Sequence, residues 1–493
     1  MTEENRKDPS KQPDIGRNFI YRMIYEIMLY AIPVVMVPYV SRILGAGGVG
    51  DYSFSYSVVS YFMMLGALGT VSYGTREVAR VRDRKDELTR IFWGIEILSM
   101  MTCLISLGAW GAVILLSGIH RPFFIALTPF ILGTMFDISW FYTGMERIGT
   151  MVLANGAVRI AGVISVFLFV RTGDDAVTYC LICSLTVLGA NLLLWLPLPG
   201  YLSGFLLPVR DLGHHFRETL VYFVPTIALS VYLVLDKTLI GLITRDSYEN
   251  GCYEQASLIT NIAKALSFSV YGSVISARLS YLFASEKYEE IRARISGALD
   301  FIMFMVWGMV FGLLGICRSF VPVFLGPGYG PAETLVYMML PLIPIVAVSN
   351  ILGSMYYTPA GKRARSAVFI VAGAAANLVL NICLIPRWGA KGAVAASVAA
   401  ELLITILYLR NCDGYMSAGM IGRASVKRLA AGAIMASAVW LLGMLPGNAA
   451  GMLVIRVISG AVIYCGILAL MKDGMVTGLS GRMIRRMKGT ERK

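Results

Sequence analysis

The sequence has 493 residues, of which 57% are apolar and only 15% are charged, whereas a soluble globular domain has roughly 45 to 50% apolar and about 25% charged residues. This composition excludes an ordinary soluble enzyme. The formal net charge of +13 would favour a nucleic-acid partner on a soluble surface, but in a membrane protein its meaning depends on which loops carry it.

Apolar segments of about 20 residues, long enough to cross a hydrocarbon core of roughly 30 Å, recur almost to the end of the chain. They are continuously apolar, which favours helices over alternating strands. We predict an all-α polytopic membrane protein with about fourteen transmembrane helices and no folded soluble domain. The predicted helices cover residues 18–43, 52–73, 90–117, 121–143, 150–171, 176–199, 217–243, 252–283, 295–320, 331–357, 366–385, 390–411, 427–445 and 449–470.

The basic residues are distributed unevenly between the two sets of loops. The N-terminal tail, every second loop and the C-terminal tail carry 30 of the 43 Lys and Arg residues, and the opposite loops carry 7. Because cytoplasmic loops are enriched in Lys and Arg, both termini are predicted to be cytoplasmic. The first apolar segment is too long for a signal peptide, so we expect it to stay in the membrane. The basic C-terminal tail is expected to contact anionic lipid and no nucleic acid.

An internal repeat relates the two halves of the helical region. The first predicted helix contains Pro33 and Pro38 and leads to Gly50-Asp51-Tyr52, while the seventh contains Pro225 and leads to Gly251-Cys252-Tyr253. The alternative is that proline and glycine are simply frequent in membrane helices. We predict two six-helix lobes with a pseudo-two-fold relation around a central cavity, as in alternating-access transporters. The predicted divisions are an N-tail (1–17), an N-lobe (18–210), a C-lobe (211–412), two further helices (413–470) and a basic C-tail (471–493).

Six basic residues remain once those counted with the loops and tails are set aside, and these fall inside predicted helices. A basic side chain near the bilayer centre costs about 2.5 to 3.5 kcal/mol on insertion scales, so it is expected to face a bundle interior or a wet cavity. The side chains nearest the cytoplasmic ends can instead extend to lipid headgroups. Arg159, Lys237 and Lys264 lie deepest, Arg22 and Arg278 lie towards the cytoplasmic ends, and Arg456 lies near the outer end of the last helix, which it anchors.

Among the acidic residues of the predicted helices we single out Glu96, Asp137, Asp236 and Glu401. A carboxyl group in a low-dielectric bundle readily binds a proton, which makes each a candidate for carrying a coupling ion. The alternative is a neutral acid that is hydrogen-bonded in the bundle. Two arrangements stay open: Asp236 pairs with Lys264 across the seventh and eighth predicted helices and leaves Lys237 free, or the reverse.

Several buried cations together predict an anionic ligand, because Lys and Arg donate charge-assisted hydrogen bonds to phosphate or carboxylate groups. Aromatic residues are concentrated in one stretch near the N-terminus. Their rings could stack on sugars or could simply pack within the bundle. The residues concerned are Tyr52, Phe54, Tyr56, Tyr61 and Phe62.

The sequence contains no catalytic constellation. The three histidines, His120, His214 and His215, have no matching nucleophile or metal ligands. Cys180 and Cys183 form a CxxC pair without further ligands at metal spacing, and no GxxxxGK[ST] loop is present. We therefore predict no catalytic residue, no metal and no cofactor.

The segment NFIYRMIYEIMLYAIPVVMVPYVSRILGAGGVGDYSFSYSVVSYFMMLGALGTVSYGTREVAR resembles the N-terminal region of Wzx-type polysaccharide repeat-unit flippases, in the superfamily that also holds multidrug antiporters and lipid II flippases. Two later stretches agree with this resemblance, LDKTLIGLI and NICLIPRWGAKGAVAASVAAELL. Ala277 departs from the proline that the family often has before Arg-Leu-Ser. The N-terminal positions that match the family pattern are Pro38, Arg42, Leu44, Gly45, Gly50, Tyr52, Gly69, Gly74, Arg76 and Glu77.

The resemblance implies a two-lobed fold of twelve plus two helices in a bacterial cytoplasmic membrane. It also implies a flippase for undecaprenyl-diphosphate-linked oligosaccharides in cell-surface polysaccharide synthesis, with membrane lipids, a polysaccharide polymerase and chain-length machinery as expected partners. By this analogy Arg159, Lys237 and Lys264 face the diphosphate or acidic sugars, while Arg22 and Arg278 attract the headgroup. The alternatives are a lipid II-type flippase and a cation-coupled multidrug antiporter. An enzyme acting on the same lipid is disfavoured because every predicted outer loop is short.

Overall fold

The computed structural model describes residues 15–118, 120–444 and 448–477, and within these ranges the chain contains helices and no strand. Sixteen α-helices follow one another: α1 (Ile15–Ala67), α2 (Thr70–Val81), α3 (Lys85–Leu116), α4 (Arg121–Met135), α5 (Ser139–Gly144), α6 (Ile148–Phe169), α7 (Ala176–Leu193), α8 (Leu212–Thr244), α9 (Ser247–Ala284), α10 (Tyr288–Leu325), α11 (Gly330–Met339), α12 (Leu342–Leu352), α13 (Arg363–Trp388), α14 (Ala390–Arg410), α15 (Ala418–Leu442) and α16 (Ala449–Leu470). The predicted all-helical fold is confirmed.

Each predicted transmembrane segment corresponds to helix in the structure, but three boundaries differ. The first two segments lie in α1 as two helices that meet at a kink at Gly45, and the fourth is broken between α4 and α5. The tenth consists of α11 and of α12 with its π-helical extension to Tyr357, which meet at an angle of 43°. Among the described residues, ten helices are long and apolar enough to cross a membrane, and this bent pair makes an eleventh.

Glycine allows α1 to change direction without a loop. Gly45 has φ 65° and ψ 178°, and Gly69, between α1 and α2, has φ 77°. Residues with a Cβ rarely adopt such positive φ angles. A Cβ at Gly69 would also lie 2.9 Å from the backbone nitrogen of Phe223. The two glycines therefore mark where the chain changes direction, Gly45 between the first two predicted segments and Gly69 near the end of the second.

The chain forms two compact units, Met1–Gly251 and Cys252–Lys493. In the first unit α1 packs against α3, α4, α6 and α8, and α7 packs against α4 and α6. Burial of aromatic side chains stabilises the contacts of α2, α3 and α5, since each ring removes a large apolar area from solvent or lipid headgroups. This aromatic cluster contains Tyr73, Phe92, Trp140, Phe141 and Tyr142.

The segment that connects α7 to α8 is held against α3 by hydrogen bonds. Trp93 Nε1 donates to the carbonyl oxygen of Gly204 at 2.8 Å. Arg90 donates through Nε and Nη2 to the two carboxylate oxygens of Asp211, at 2.6 and 3.0 Å. This guanidinium lowers the pKa of Asp211 by hydrogen bonding and by its charge. The connection is thus fixed at both its middle and its end.

In the second unit α10 packs against α15 and α16, and α13 packs against α14. Arg428 on α15 is 3% exposed, and its Nε lies 3.3 Å from Asp473 Oδ2 while its Nη1 lies 3.5 Å from Asp300 Oδ1. This buried ion cluster joins α10, α15 and the segment after α16. Removal of one partner from such a cluster leaves an uncompensated buried charge, which is strongly destabilising.

Candidate functional site: a polar cavity in the first unit

A cavity of about 450 Å³ lies within the first unit, surrounded by α1, α4, α5, α6 and α7. Its wall includes Arg159 and Asp137, two of the residues singled out in the sequence. The wall is otherwise a mixture of apolar side chains with hydroxyl and amide groups. The structure therefore brings one predicted substrate-binding cation and one predicted coupling acid into a single chamber.

Arg159 occupies the middle of α6, as predicted, and its side chain is partly buried. Asn155 precedes it by four residues, so both side chains lie on the same face of the helix, and both line the cavity. The guanidinium can donate several hydrogen bonds in a planar fork, which suits phosphate or carboxylate oxygens. This helix face therefore presents a donor set for an anion to the cavity.

Asp137 lies in the break between α4 and α5, not in a continuous helix as we predicted. Its Oδ1 accepts a hydrogen bond from the backbone nitrogen of Ser139 at 2.9 Å. The end of α4 is fixed by Asn191, whose Nδ2 donates to the carbonyl oxygen of Gly133 at 2.8 Å. The chain turns at this break, which places an acidic side chain on the cavity wall.

Glu96 lies behind this wall on α3. Its side chain is 0% exposed, and neither carboxylate oxygen has a hydrogen-bond partner among the residues described. Asp137 is close enough to act on it electrostatically. Burial of an ionised carboxylate without hydrogen bonds or an opposite charge is costly.

The remaining predicted residues do not line this cavity. Asp236 on α8 is 9% exposed, and its neighbour Lys237 uses its backbone carbonyl oxygen to accept a hydrogen bond from Asn250 Nδ2 at 2.9 Å. In the second unit, Glu401 on α14 is close enough to act electrostatically on Lys264 of α9. The predicted cations whose side chains the structure describes are therefore distributed over both units, and among these only Arg159 lines the cavity.

Arg278 is exposed near the end of α9 and already has partners. Its Nη2 lies 3.9 Å from Glu290 Oε1, and its guanidinium carbon lies 5.1 Å from the ring centre of Tyr281. These contacts are weak in water, so they leave the guanidinium accessible. The side chain of Arg22 lies outside the part of the chain that the structure describes.

The aromatic stretch of α1 is divided between the cavity and the core. Tyr52 and Tyr56 line the cavity, and their ring centres are 5.7 Å apart in a stacked arrangement. Phe62 packs on Trp110, with ring centres 5.2 Å apart, and Tyr61 shares a hydrogen bond of 2.9 Å with Thr238. Most of the stretch thus serves helix packing, and two hydroxyl groups belong to residues on the cavity wall.

Sequence reasoning missed a group of polar residues because none carries a charge. Asn155 and Asn191 line the cavity of the first unit. In the second unit Asn377 and Asn381 are buried on α13, and Asn381 Nδ2 donates to Asn377 Oδ1 at 3.0 Å. The spacing of four residues between asparagines, or between asparagine and arginine, was the signal available in the sequence.

A second cavity, of about 340 Å³, lies in the second unit between α10, α15 and α16. Its wall is almost entirely apolar, with methionine, glycine and aliphatic residues. Arg456 reaches its edge, where Nη1 donates to Ser319 Oγ at 2.6 Å and Nη2 donates to the carbonyl oxygen of Gly443 at 2.9 Å. The guanidinium thereby joins α16 to α10 and to the end of α15, which is the anchoring role expected for it.

Neither cavity contains a recognisable metal centre. No group of three His, Cys, Asp or Glu side chains that could hold a metal ion occurs among the residues described. Cys183 lines the first cavity, and Cys180 is buried beside it, both as free thiols. The wall of the first cavity, with its guanidinium, carboxyl, amide and hydroxyl groups, is suited to binding and releasing a polar or anionic molecule.

Two relatives of this chain are named as a transporter and a flippase. A protein described as an O-antigen transporter of Escherichia coli (strain K12) is 24% identical over 414 residues, covering 80% of this chain and 97% of its own length. A low-salt glycan biosynthesis flippase of Haloferax volcanii is 24% identical over 339 residues, covering 66% of this chain and 68% of its own length.

Among solved structures, the lipid II flippase MurJ in an inward closed conformation superposes with a TM-score of 0.71 and 13% sequence identity, covering 92% of this chain and 100% of that one. At this level of identity the likeness shows a shared fold. The model of the family described as "Polysaccharide biosynthesis protein" matches residues 15–281. The chain therefore belongs to this family of polysaccharide biosynthesis proteins, and the resemblance to Wzx-type flippases is confirmed.

Proposed function

We propose that this protein is a flippase that moves undecaprenyl-diphosphate-linked oligosaccharide repeat units from the cytoplasmic to the outer leaflet of a bacterial inner membrane. It exposes its site alternately to the two sides, with both termini in the cytoplasm, and its product feeds cell-surface polysaccharide synthesis. The family match over residues 15–281 and the named relatives support the polysaccharide part of this proposal.

The observation that carries the substrate class is the position of Arg159 in the cavity wall of the first unit. A guanidinium at membrane depth is retained where it faces a polar space or a partner, and it recognises phosphate oxygens well. In our proposal Arg159, Lys237 and Lys264 bind the diphosphate or acidic sugars, and Arg22 and Arg278 attract the headgroup at the cytoplasmic side.

Carboxyl groups provide candidates for the energy-coupling step. Asp137 reaches the cavity, and the shielded Glu96 lies within electrostatic range of it. We propose that a proton exchanges between the cavity and this pair as the transporter cycles. Asp236 and Glu401 are the alternative carriers, because they too are buried or partly buried within helices.

Two other transport functions compete with this proposal. A cation-exporting multidrug antiporter would be favoured by an acidic cavity, and the described cavity contains both Arg159 and Asp137. Its mixed charge does not decide between the two, so the family match carries the argument. A lipid II-type flippase shares the diphosphate chemistry and differs in the sugars.

Lipid analysis of a strain that lacks the gene tests the proposal directly. We expect an undecaprenyl-linked oligosaccharide to accumulate on the cytoplasmic side and to disappear when the wild-type gene is restored. Accumulation of lipid II would instead assign the protein to peptidoglycan synthesis. An unchanged lipid-linked pool, together with increased sensitivity to cationic drugs, would favour the antiporter.

A further inference from the structure

Two glycines bring α1 and the start of α9 into backbone contact. A Cβ on Gly50 would overlap the carbonyl oxygen of Ser247 and lie 2.8 Å from the nitrogen of Gly251. A Cβ on Gly251 would overlap the carbonyl oxygen of Ala46 and lie 3.0 Å from the nitrogen of Gly50. All four residues belong to the first unit. The helices approach so closely that only glycine fits at either position.

The contact is reciprocal. Each glycine meets the residue four positions before the other glycine, and each lies against the other's amide nitrogen. A two-fold operation exchanges the partners of a contact in this way. The repeat in the sequence pairs the same positions, because Gly50-Asp51-Tyr52 matches Gly251-Cys252-Tyr253. Corresponding positions of the two repeats therefore touch each other here.

Polar groups strengthen the contact on one side. The Oγ of Ser247 donates a hydrogen bond to Asp51 Oδ1, and His120 Nδ1 lies 3.8 Å from the same oxygen. The close approach is specific to the two glycines, since a Cβ on nearby Gly47 would have no neighbour within 4 Å. The charge distribution of the loops places this end of α1 on the outer side of the membrane.

We propose that Gly50 and Gly251 form an outer latch, a backbone contact that closes the outer end between α1 and α9 and must separate before the passenger leaves. This inference rests on the proposed function, which supplies the alternation and the orientation. Separation of the two backbones by about 0.5 to 1 Å already forfeits a quarter to a half of the dispersion attraction between touching atoms. A small movement of either helix therefore weakens the latch.

Cys252 offers a native reporter of the latch. It follows Gly251 directly and is 0% exposed. The experiment uses full-length protein in intact cells, with Cys252 as the only remaining cysteine, and measures the rate of labelling by a membrane-impermeant maleimide. We expect Gly50→Ala and Gly251→Ala to increase this rate roughly tenfold, because the added methyl group holds the helices apart.

Gly47→Ala is the matched control on the same helix, and we expect it to label like the parent protein. Ser247→Ala removes the hydrogen bond to Asp51 without adding bulk, so it tests the latch even if a glycine variant fails to fold. We expect about fivefold faster labelling for it, the effect of one hydrogen bond. Unchanged labelling in Ser247→Ala and in every folded glycine variant overturns the latch.

The same cells separate this result from the transport assignment. If the variants label faster at Cys252 but the lipid-linked pool does not depend on the protein, the latch is retained and the proposed passenger is rejected. An accumulated oligosaccharide with unaltered labelling would retain the passenger and reject the latch.

Discussion

The two units each contain a cavity, but the walls of these cavities differ in chemistry. The cavity in the first unit presents Arg159, Asp137 and uncharged polar groups. The cavity in the second unit is lined by apolar residues, and the guanidinium at its edge, Arg456, is occupied by Ser319 and a helix-terminal carbonyl oxygen. The described residues thus form one chamber with charged and polar groups in its wall and another with an apolar wall.

This difference shows that a buried arginine is informative only when its hydrogen bonds are known. Arg428 and Arg456 are both less than 9% exposed, but each is bound to protein groups that hold helices together. Arg159 is more exposed and lies on a cavity wall. A ranking by burial alone would place Arg428 and Arg456 before Arg159, although of the three it is Arg159 that lines the polar cavity.

The largest expected effect is on the first cavity. We expect Arg159→Ala to abolish polysaccharide export at a normal protein level, because a lost charge-assisted hydrogen bond costs about 1.5 to 3 kcal/mol, roughly 10- to 150-fold in binding. Lys237→Ala is expected to act in the same direction. Arg159→Lys should retain part of the activity, since it keeps the charge without the planar fork.

Export is measured in cells, and membrane protein is quantified in parallel. The matched control is Arg171→Ala, an exposed arginine just after α6, which should export normally. Normal export by both Arg159→Ala and Lys237→Ala would remove the cations from the pathway and with them the contrast between the cavities.

The next effect concerns stability in the second unit. Asp473→Ala leaves Arg428 with only the half-exposed Asp300 as a nearby charge, so we expect a loss of about 3 kcal/mol in stability. Thermal unfolding in detergent measures this loss. Asp300→Ala is the control and should lower the melting temperature much less. Equal melting temperatures for the two variants would contradict a buried ion pair.

A pair of glycine variants compares the two cavities with the same chemical change. A Cβ on Gly162 would overlap the Thr186 hydroxyl and lie 2.9 Å from its methyl carbon, while a Cβ on Gly312 would have no neighbour within 4 Å. We expect Gly162→Ala to reduce export several-fold. Gly312→Ala should leave export unchanged and stabilise its helix by about 0.5 to 1 kcal/mol. Reduced export in Gly312→Ala would give the second cavity a part in transport.

The smallest expected effect is a pH dependence in the first unit. Burial lowers the pKa of His215, whose Nδ1 is 2.7 Å from the hydroxyl of Tyr73. A base with a lowered pKa contributes stability above its unfolded pKa near 6.5, and this is lost as pH falls through the folded pKa. We expect the melting temperature to fall by a few degrees between pH 7 and pH 5, and to fall less in His215→Gln. The exposed His214→Gln is the control, and equal pH slopes for both variants would contradict this role.

Composition and hydropathy predicted the helical architecture, because a bilayer requires every backbone group of a span to be hydrogen-bonded internally. The misplaced boundaries have local causes. The turn at Gly45 needs no loop since glycine adopts a positive φ, and the break at Asp137 occurs within an apolar stretch that hydropathy reads as continuous. The sequence thus predicted where apolar helices occur better than where a helix is interrupted.

For the candidate site, charge inside a predicted helix singled out Arg159 and Asp137, and the structure places both on the wall of one cavity. It passed over Arg428, which was counted with a loop, because the burial and pairing of this arginine depend on residues distant in the sequence such as Asp473. Uncharged Asn155 and Asn191 gave no comparable signal. Both the pairing of Arg428 and the cavity position of the two asparagines depend on tertiary contacts, which spacing along one helix does not predict.

The kink at Gly45, with no loop between the two parts of α1, also affects how the topology of this protein can be mapped. Epitopes and reporter enzymes are tolerated in exposed loop tips, and hydropathy suggests such a tip between the first two spans. Here that region is helix on both sides of Gly45, and it ends at a glycine packed against another backbone. A fusion placed there would disrupt folding, so the lost signal would be mistaken for a cytoplasmic location. The exposed turn at residues 171–174 is a sounder insertion point.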